Sequence, residues 1–193
     1  LLPLPESLDY TQGAALAECF LTAYQAMFVE YQLSAEHSVL IHAGASGVGL
    51  AAIQLAKLLG CQVAVTASSA NKLAACQQYG ADTLINYNEQ DFVEVLKPKG
   101  VDLILDFVGG DYVNRNLTVL KRDGCIIQLA MLAGRYVENF DTALLLGKRA
   151  TFKGSTLRNR SNSYKTTLIK AFEQQCWSNL YNQQLKPVID QVY

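Results

Sequence analysis

The stretch Ser38–Gly60, with the sequence SVLIHAGASGVGLAAIQLAKLLG, constrains the fold of this chain more than any other part of it. It opens with an apolar run long enough for a buried strand and then passes through Gly44, Gly47 and Gly49. Apolar and small residues follow at helical spacing, and Gly60 is the predicted end of that helix. A strand, a glycine-rich turn and a helix in this order are typical of the unit that opens a dinucleotide-binding domain.

The residues of this turn are the first candidates for contact with a phosphate. Gly44 lets the chain turn sharply off the strand, and Gly49 lets the helix pack close to the sheet. Ser46 stands where the fingerprint has a further glycine, so its backbone can still approach a pyrophosphate and its hydroxyl can donate to it. The first helical N–H groups then face the pyrophosphate, where the helix dipole favours negative charge. Glycines that serve only in packing are the alternative, although packing alone does not require three of them at one strand exit.

Composition places the chain among globular domains with a full core. It has 193 residues, 50% of them hydrophobic, and a formal net charge of -1. A charge near zero argues against nucleic acid or an anionic membrane as the main partner. No run is long and apolar enough to span a bilayer, and the start of the sequence lacks the basic region of a signal peptide. The five cysteines are scattered without a CxxC pair, so we expect free thiols, no metal site and a cytoplasmic location.

Strands alternate with helices along the whole sequence. The predicted strands cover Ser38–His42, Gln62–Ala67, Thr83–Asn86, Val101–Asp106, Cys125–Ala130 and Thr151–Ser155. Besides the helix of the glycine stretch, helices are predicted within Gly13–Tyr31 and at Ser69–Tyr79, Glu89–Leu96, Tyr112–Leu117, Thr142–Leu146 and Tyr164–Leu180. Several strands are apolar throughout, as in a parallel sheet that is covered on both faces. These elements predict an α/β fold: a doubly wound, parallel, six-stranded sheet of the Rossmann type with strand order 3-2-1-4-5-6.

The end of the second strand indicates which dinucleotide is bound. A domain that prefers NAD usually has an acidic residue there, which holds the ribose 2′-hydroxyl. The sequence TASSANK has none and offers Ser68, Ser69 and Lys72 instead. Hydroxyls and an ammonium suit a 2′-phosphate, which a carboxylate would repel, so NADPH is the predicted cofactor. In the alternative, Ser69 caps the next helix and Lys72 is a solvated side chain, which is compatible with phosphate binding at the same helix end.

Several stretches, in this order, resemble one family. HAGASGVGLAAIQLAK, INYNEQDF, VDLILDFVGG and LKPVIDQVY look like the cofactor domain of the medium-chain dehydrogenases/reductases. The nearest branch is the zinc-free, zeta-crystallin-like quinone oxidoreductases, and TASSANKL and STLRNRSNSYK are similar to the p53-inducible type within that branch. The resemblance implies that hydride is transferred from NADPH to a small-molecule substrate, a quinone or another conjugated carbonyl such as an enone.

The resemblance also implies which residues contact the cofactor. The implied contacts are, for the pyrophosphate, Ser46, Gly47 and Val48 within the turn from Gly44 to Gly49; for the adenosine 2′-phosphate, Ser68, Ser69, Lys72 and Tyr87; for the crevice after the fourth strand, Phe107, Val108 and Gly109; and for the nicotinamide half, Leu129, Ala130, Met131, Ser155 and Leu157. Tyr87 is equally explained as a surface aromatic residue near a strand end. Asp106 matches an acidic strand-end position of this branch, and a carboxylate that binds local backbone N–H groups explains it equally well. His37 and His42 are interpreted as structural.

The sequence departs from the family in one major respect. Its members carry an N-terminal, GroES-like catalytic domain, on the order of 100–150 residues, and nothing in this sequence corresponds to it. We therefore expect residues 1–193 to form an NADPH-binding domain, with residues 1–8 as a linker from the catalytic domain and residues 185–193 as a strand that leads back to it. No catalytic residue is assigned, and the isolated domain is expected to lack quinone reductase activity.

Three other functions are weighed against a quinone oxidoreductase. An enoyl-thioester or enal reductase of the same family is the alternative reaction, because substrate choice lies in the catalytic domain. The alternative outside the enzymes is a non-catalytic, structural protein that binds NADPH. A short-chain reductase is disfavoured, because it needs a Tyr-x-x-x-Lys pair and no tyrosine here is followed four residues later by lysine.

The sixth strand predicts a homodimer. Relatives in this branch pair through that strand, and Ala150–Ser155 lies at the outer edge of the predicted strand order. Antiparallel pairing of two copies would satisfy the unpaired N–H and C=O groups of both edges. Lys153 and Gly154 argue the other way, because an edge lysine guards against pairing and a glycine weakens a strand.

Overall fold

The computed structural model describes residues 3–192, which form a parallel sheet of six strands. The strands are β1 Ser38–Ile41, β2 Gln62–Ala67, β3 Thr83–Asn86, β4 Val101–Asp106, β5 Leu120–Gln128 and β6 Thr151–Gly154. Their order across the sheet is β3-β2-β1-β4-β5-β6, and every neighbouring pair is parallel. The predicted α/β fold class and the strand order 3-2-1-4-5-6 are confirmed.

Helices connect and cover these strands. In the described residues they are α1 Tyr10–Tyr24, α2 Gly47–Leu58, α3 Ala70–Gln78, α4 Phe92–Leu96, α5 Tyr112–Val119, α6 Thr142–Lys148 and α7 Asn162–Tyr181. α1 begins before the predicted Gly13, because the side chains of Asp9 and Gln12 each accept from the other's backbone N–H and form a capping box. A six-residue π-helical segment, Gln25–Glu30, continues α1 without a break. Within residues 3–192, none of the helices has both the length and the apolar character that crossing a membrane requires.

Both faces of the sheet are buried, and successive residues of β1 show how. Val39 and Ile41 belong to one hydrophobic cluster, together with Phe20 of α1 and Phe172 of α7. Leu40 belongs to a second cluster, together with side chains of α4 and α5. All three strand residues are fully buried, which explains why this strand is apolar at each of these positions.

β5 begins at Leu120 rather than at the predicted Cys125. Leu120 is buried and pairs with Val101, and the register of the two strands then shifts before Leu103. The intervening Lys-Arg-Asp-Gly sequence ends in Asp-Gly, which favours a turn, and Asp123 has a φ of 63°. It forms an irregularity inside a strand, which turn propensity alone does not distinguish from a loop.

The chain after α7 does not form the strand that the sequence predicted. Residues 182–192 are irregular; Tyr193, at the end of that stretch, and residues 1 and 2 of the predicted linker lie outside the described residues. The buried amide of Gln54 in α2 binds this segment instead. Its Oε1 accepts from the N–H of Lys186 at 2.8 Å, and its Nε2 donates to the carbonyl oxygen of Lys186 at 3.0 Å. The Gln54 side chain thereby binds the N–H and the carbonyl oxygen of Lys186, as the backbone of a neighbouring strand would do.

Candidate cofactor site

The predicted site residues lie between the carboxyl end of a strand and the first turn of the helix that follows it. The turn Gly44–Gly49 comes after β1, Ser68, Ser69 and Lys72 after β2, Tyr87 after β3, Phe107, Val108 and Gly109 after β4, Leu129, Ala130 and Met131 after β5, and Ser155 and Leu157 after β6. Because the strands are parallel, these ends meet at one edge of the sheet. In doubly wound folds, ligands bind in the crevice outside that edge.

The turn between β1 and α2 leaves no room for a side chain at Gly49. A Cβ atom there would lie 2.5 Å from the carbonyl oxygen of Gly44 and 2.6 Å from that of Ala43. Ser46 caps α2, because its Oγ accepts from the N–H of Gly49 at 3.1 Å. The Ser46 O–H remains able to donate to an anion, and the first N–H groups of the 12-residue helix α2 have no acceptors within the helix. The turn therefore offers hydrogen-bond donors to an anion.

A cleft of about 490 Å³ lies beside this turn. Its wall brings together five of the predicted residues, Ser46, Ser68, Lys72, Tyr87 and Val108. Lys72 is exposed and its Nζ donates to the Oγ of Ser68 at 3.1 Å, so an amine and a hydroxyl already stand side by side. The residues that line this cleft include one cation, Lys72, and no carboxylate. An amine and a hydroxyl without a nearby carboxylate suit a negatively charged group such as a phosphate monoester.

Ser69 stands next to this cleft and is not part of its wall. It caps α3, because its Oγ accepts from the N–H of Lys72 at 3.4 Å. Asn88 ties the turn after β3 to the end of β2, since its Nδ2 donates to the carbonyl oxygen of Ser68 at 2.8 Å. The capping role that the sequence offered for Ser69 is therefore present, and it leaves the Lys72 amine free to face the cleft.

Asp106, at the end of β4, fixes the turn that follows it. The residue is fully buried, and its Oδ1 accepts from the N–H groups of Val108 at 2.7 Å and Gly109 at 3.0 Å. Its Oδ2 accepts from the Nδ2 of Asn116 at 3.1 Å. Of the two explanations for this acidic residue, binding to local backbone N–H groups is the one that the structure shows. The carboxylate thereby holds Val108 in the wall of the cleft.

A buried chain of hydrogen bonds continues from Asn116 to His42, the residue after β1. The imidazole is fully buried, with its Nε2 2.8 Å from the Oδ1 of Asn116 and its Nδ1 2.9 Å from the Oγ1 of Thr66 in β2. Burial lowers the pKa of His42 and outweighs the nearby Asp106 carboxylate, which raises it. Since Thr66 also lines the cleft, this network connects the cleft wall to the ends of three strands.

A second cleft, of about 320 Å³, lies at the ends of β5 and β6. Three predicted residues line it: Leu129, Ser155 and Leu157. The π-helical segment engages the hydroxyl of Ser155, which accepts from the Nε2 of Gln25 at 2.8 Å and donates to the Oε1 of Glu30 at 3.2 Å. Ser155 is therefore held in place by protein groups, and the charged residues Glu18 and Arg158 also line this cleft.

The remaining predicted residues line neither cleft. They are Gly44, Gly47, Val48, Gly49, Ser69, Phe107, Gly109, Ala130 and Met131. Phe107 is 8% exposed and packs in the hydrophobic core, whereas the side chain of Met131 is exposed. The backbone of Gly49, and of Gly109 with its φ of 68°, shapes the turns that carry the lining residues.

Sequence reasoning missed several residues of the two clefts. Thr66, Tyr112 and Leu132 help to line the first, and Thr22 and Gln25 help to line the second. Tyr112 and Leu132 carry no local signal, because only the assembled fold brings them to the cleft. Gln25 does carry one: it is a polar residue inside the apolar stretch CFLTAYQAMF, and a buried amide needs hydrogen-bond partners.

Comparison with known proteins identifies the family. The family described as zinc-binding dehydrogenase matches residues 47–174. The chain belongs to this family. Human quinone oxidoreductase is 31% identical over 158 residues, which are 80% of this chain and 47% of that protein.

Solved structures of the same fold include two reductases. The Escherichia coli quinone oxidoreductase, solved in complex with NADPH, superposes with a TM-score of 0.85 at 30% identity, over 97% of this chain and 58% of that one. The JamJ enoyl reductase superposes with a TM-score of 0.84 at 25% identity, over 100% of this chain and 58% of that one. This chain therefore spans about half of the length of the proteins it matches.

The description of the family refers to zinc. Residues 3–192 contain no group of three or more histidine, cysteine, aspartate or glutamate side chains that could hold a metal ion. The five cysteines are free thiols at separate positions along the chain. No metal ligand is therefore assigned in this part of the chain.

Proposed function

We propose that this chain binds NADPH and forms the cofactor-binding part of an oxidoreductase that transfers hydride from NADPH to quinones or related conjugated carbonyls. The observation that carries the proposal is the cleft beside Ser46, where the amine of Lys72 meets the hydroxyl of Ser68 and no carboxylate lines the wall. Membership of the dehydrogenase family and the NADPH complex of the similar Escherichia coli enzyme support it.

The residues present fit an NADPH molecule that lies along the strand ends. The pyrophosphate would lie against the N-terminus of α2, where Ser46 and the first helical N–H groups donate. The 2′-phosphate would accept from Lys72 and Ser68, with the half-exposed ring of Tyr87 beside it. The nicotinamide would occupy the second cleft, next to Leu129. Both phosphate sites would thereby provide hydrogen-bond donors.

Bound NADPH supplies the hydride, and the protein holds the ring and keeps water away from it. In the second cleft, Leu129 and Leu157 offer apolar surface, Thr22 and Gln25 offer polar groups, and Glu18 and Arg158 offer charged groups. An electrophilic, conjugated carbonyl would approach the exposed face of the ring. The chain's own part is therefore binding and orientation.

Dissociation constants of this chain for NADPH and NADH test the proposal directly. We expect NADPH to bind at least about tenfold more tightly, because the 2′-phosphate adds charge-assisted hydrogen bonds that NADH lacks. Equal affinity for the two cofactors would contradict it. The proposed reaction is tested by turnover of a quinone in a protein of the full length of the relatives.

An enoyl-thioester reductase is a second candidate. The observation that favours it is the superposition of the whole chain on the JamJ enoyl reductase. Both reactions use the same cofactor site and differ in the electrophile. Turnover rates with a quinone and with an enoyl thioester, measured side by side, separate the two. Tight NADPH binding with turnover of neither would instead indicate a non-catalytic NADPH-binding protein.

A further inference from the structure

The π-helical segment places two polar side chains on one face. In an α-helix, residues five positions apart lie about 140° apart around the axis. In a π-helix, the backbone closes bonds between residues five apart, so such residues lie nearly above one another. Gln25 and Glu30 are related in this way, and the Nε2 of Gln25 donates to the Oε1 of Glu30 at 3.3 Å.

Glu30 is the centre of an ion-paired cluster at the end of β6. Its side chain is 9% exposed, with Lys153 Nζ at 3.1 Å from Oε2 and Arg160 Nη2 at 2.8 Å from Oε1. Burial raises the pKa of Glu30, but hydrogen bonds from Lys153, Gln25 and Ser155 outweigh burial and lower it. Glu30 is therefore a carboxylate that accepts hydrogen bonds and donates none.

This cluster fixes which way the amide of Gln25 points. Its Nε2 faces the Glu30 carboxylate, the Ser155 hydroxyl at 2.8 Å and the Thr156 carbonyl oxygen at 3.5 Å. A carboxylate and a carbonyl only accept, so the NH₂ group must face them and the oxygen must face away. Gln25 is 1% exposed, and its Oε1 is buried without a hydrogen-bond partner among the described residues. A buried acceptor in this state is costly unless a donor reaches it.

Gln25 also lines the second cleft, together with Glu18, Thr22, Leu129, Ser155, Thr156, Leu157 and Arg158. The nicotinamide ring placed there by the proposed function carries a carboxamide, whose NH₂ group has two donors. We infer that the Oε1 of Gln25 accepts a hydrogen bond from this carboxamide, and that Glu30 holds the Gln25 amide in the required orientation. The Gln25 Oε1 atom is buried, so the inferred contact includes a small local displacement that uncovers it. This inference rests on the proposed NADPH site.

A pair of ligands isolates this hydrogen bond. The reduced 3-acetylpyridine analogue of NADPH has a methyl group in place of the carboxamide NH₂ and is otherwise the same molecule. We expect this chain to bind NADPH roughly tenfold more tightly than the analogue. In Gln25→Leu the ratio of the two dissociation constants should fall to about one. A merely structural role of Gln25 would weaken both ligands equally and leave the ratio unchanged.

Two further variants complete the test. Glu30→Gln lets position 30 donate as well as accept, which frees the Gln25 amide to turn, so the ratio should fall even if Gln25→Leu does not fold. Gln54→Leu is the matched control, because it removes another buried glutamine that binds backbone groups away from this cleft. We expect the ratio to stay near ten in this variant.

The outcomes distinguish this inference from the proposed function. If the unmodified chain binds NADPH no better than NADH, the proposed function fails and the inference with it. If NADPH is preferred over NADH but binds no better than the acetylpyridine analogue, only the inference is wrong. A ratio that is high in the unmodified chain and unchanged in both Gln25→Leu and Glu30→Gln also overturns it.

Discussion

The imidazole Nε2 of His42 donates to the side-chain oxygen of Asn116, 2.8 Å away in the core. The direction follows from the partners: the Asn116 Nδ2 donates to Asp106, so the asparagine oxygen is left to accept. Because burial lowers the pKa of His42, its other imidazole nitrogen, Nδ1, carries no proton and accepts from the hydroxyl of Thr66. An imidazole that donates at one nitrogen and accepts at the other is neutral, in agreement with the lowered pKa of His42.

We expect the chain to lose stability as the pH falls below about 6.5. In the unfolded chain His42 takes up a proton near that pH, whereas burial lowers its pKa in the folded chain. Its contribution is therefore fully present above about pH 6.5 and is lost as the pH falls toward the folded pKa, by at most about 1.4 kcal/mol per pH unit. Urea unfolding at several pH values between 5 and 7.5 measures this, because carboxylates with a lowered pKa, such as Asp102, act near or below about pH 4.

The variant His42→Asn removes this titrating group, and its unfolding free energy should vary less between pH 5 and 7.5. The change His37→Asn removes the other histidine, which is partly exposed, and should leave the pH dependence of the unmodified chain in place. Identical pH profiles for the unmodified chain and His42→Asn would contradict the assignment.

Lys72→Ala should weaken NADPH and spare NADH. The amine is the one cation among the residues that line the first cleft, and the loss of a charge-assisted hydrogen bond costs on the order of 1–3 kcal/mol, or roughly 5- to 150-fold in affinity. Titration calorimetry with both cofactors measures the two effects. Lys170→Ala removes an exposed lysine from α7 and serves as control. Equal losses for NADPH and NADH would show that Lys72 does not contact the 2′-phosphate.

Gly49→Ala should destabilise the fold and impair cofactor binding together. The new Cβ would lie within 2.6 Å of two backbone oxygens of the same turn, and overpacking of this kind costs about 1–3 kcal/mol or more. Gly147→Ala is a suitable comparison, because that glycine lies in α6 with nothing within 4 Å of the new atom. There we expect a gain of about 0.5–1 kcal/mol from helix propensity. Equal shifts of the thermal unfolding temperature in the two variants would refute the close packing at Gly49.

We propose that β6 pairs with a second copy of the chain, and the structure removes one objection. Lys153 was the expected guard of this edge, yet its amine is paired with Glu30 of the π-helical segment. The N–H of Ser155 donates to Gln128 of β5, so by the alternation of a strand the N–H of Phe152 faces the free edge.

Sedimentation of the chain and of Phe152→Pro checks the proposal. We expect a dimer that the proline weakens, because the proline removes an N–H that faces the edge. Phe152→Ala keeps this N–H and separates the backbone contribution from that of the side chain. A monomer at high concentration would rule the dimer out, and a dimer indifferent to the proline would place the interface elsewhere.

The parts of this fold that were predicted correctly are those encoded by neighbouring residues. The turn from Gly44 to Gly49 follows from a strand, small residues and a helix within one short stretch, and the sheet order follows once six such strands alternate with helices. The predicted start of β5 was wrong because neighbouring residues do not determine it. Leu120 joins the strand because it pairs with Val101, a long-range contact that outweighs the local preference of the residues after it for a turn.

The candidate site also has a part that local motifs predict and a part that long-range contacts determine. The residues of the first cleft come from strand ends, where motifs are local, and five of them were predicted. The second cleft depends on contacts between distant positions, such as Gln25 with Ser155 and Glu30 with Lys153. No spacing in the sequence indicates that these side chains meet, because the partners lie 130 and 123 residues apart along the chain.

The π-helical segment has a consequence for sequence alignment. An ordinary α-helix places residues four positions apart on one face, whereas the segment Gln25–Glu30 places residues five apart there. A relative with one residue fewer in this segment can therefore keep both polar side chains together by forming a regular helix. The single-residue gap that aligns such a relative belongs between Gln25 and Glu30, and a gap placed in the loop before β1 would pair the wrong positions.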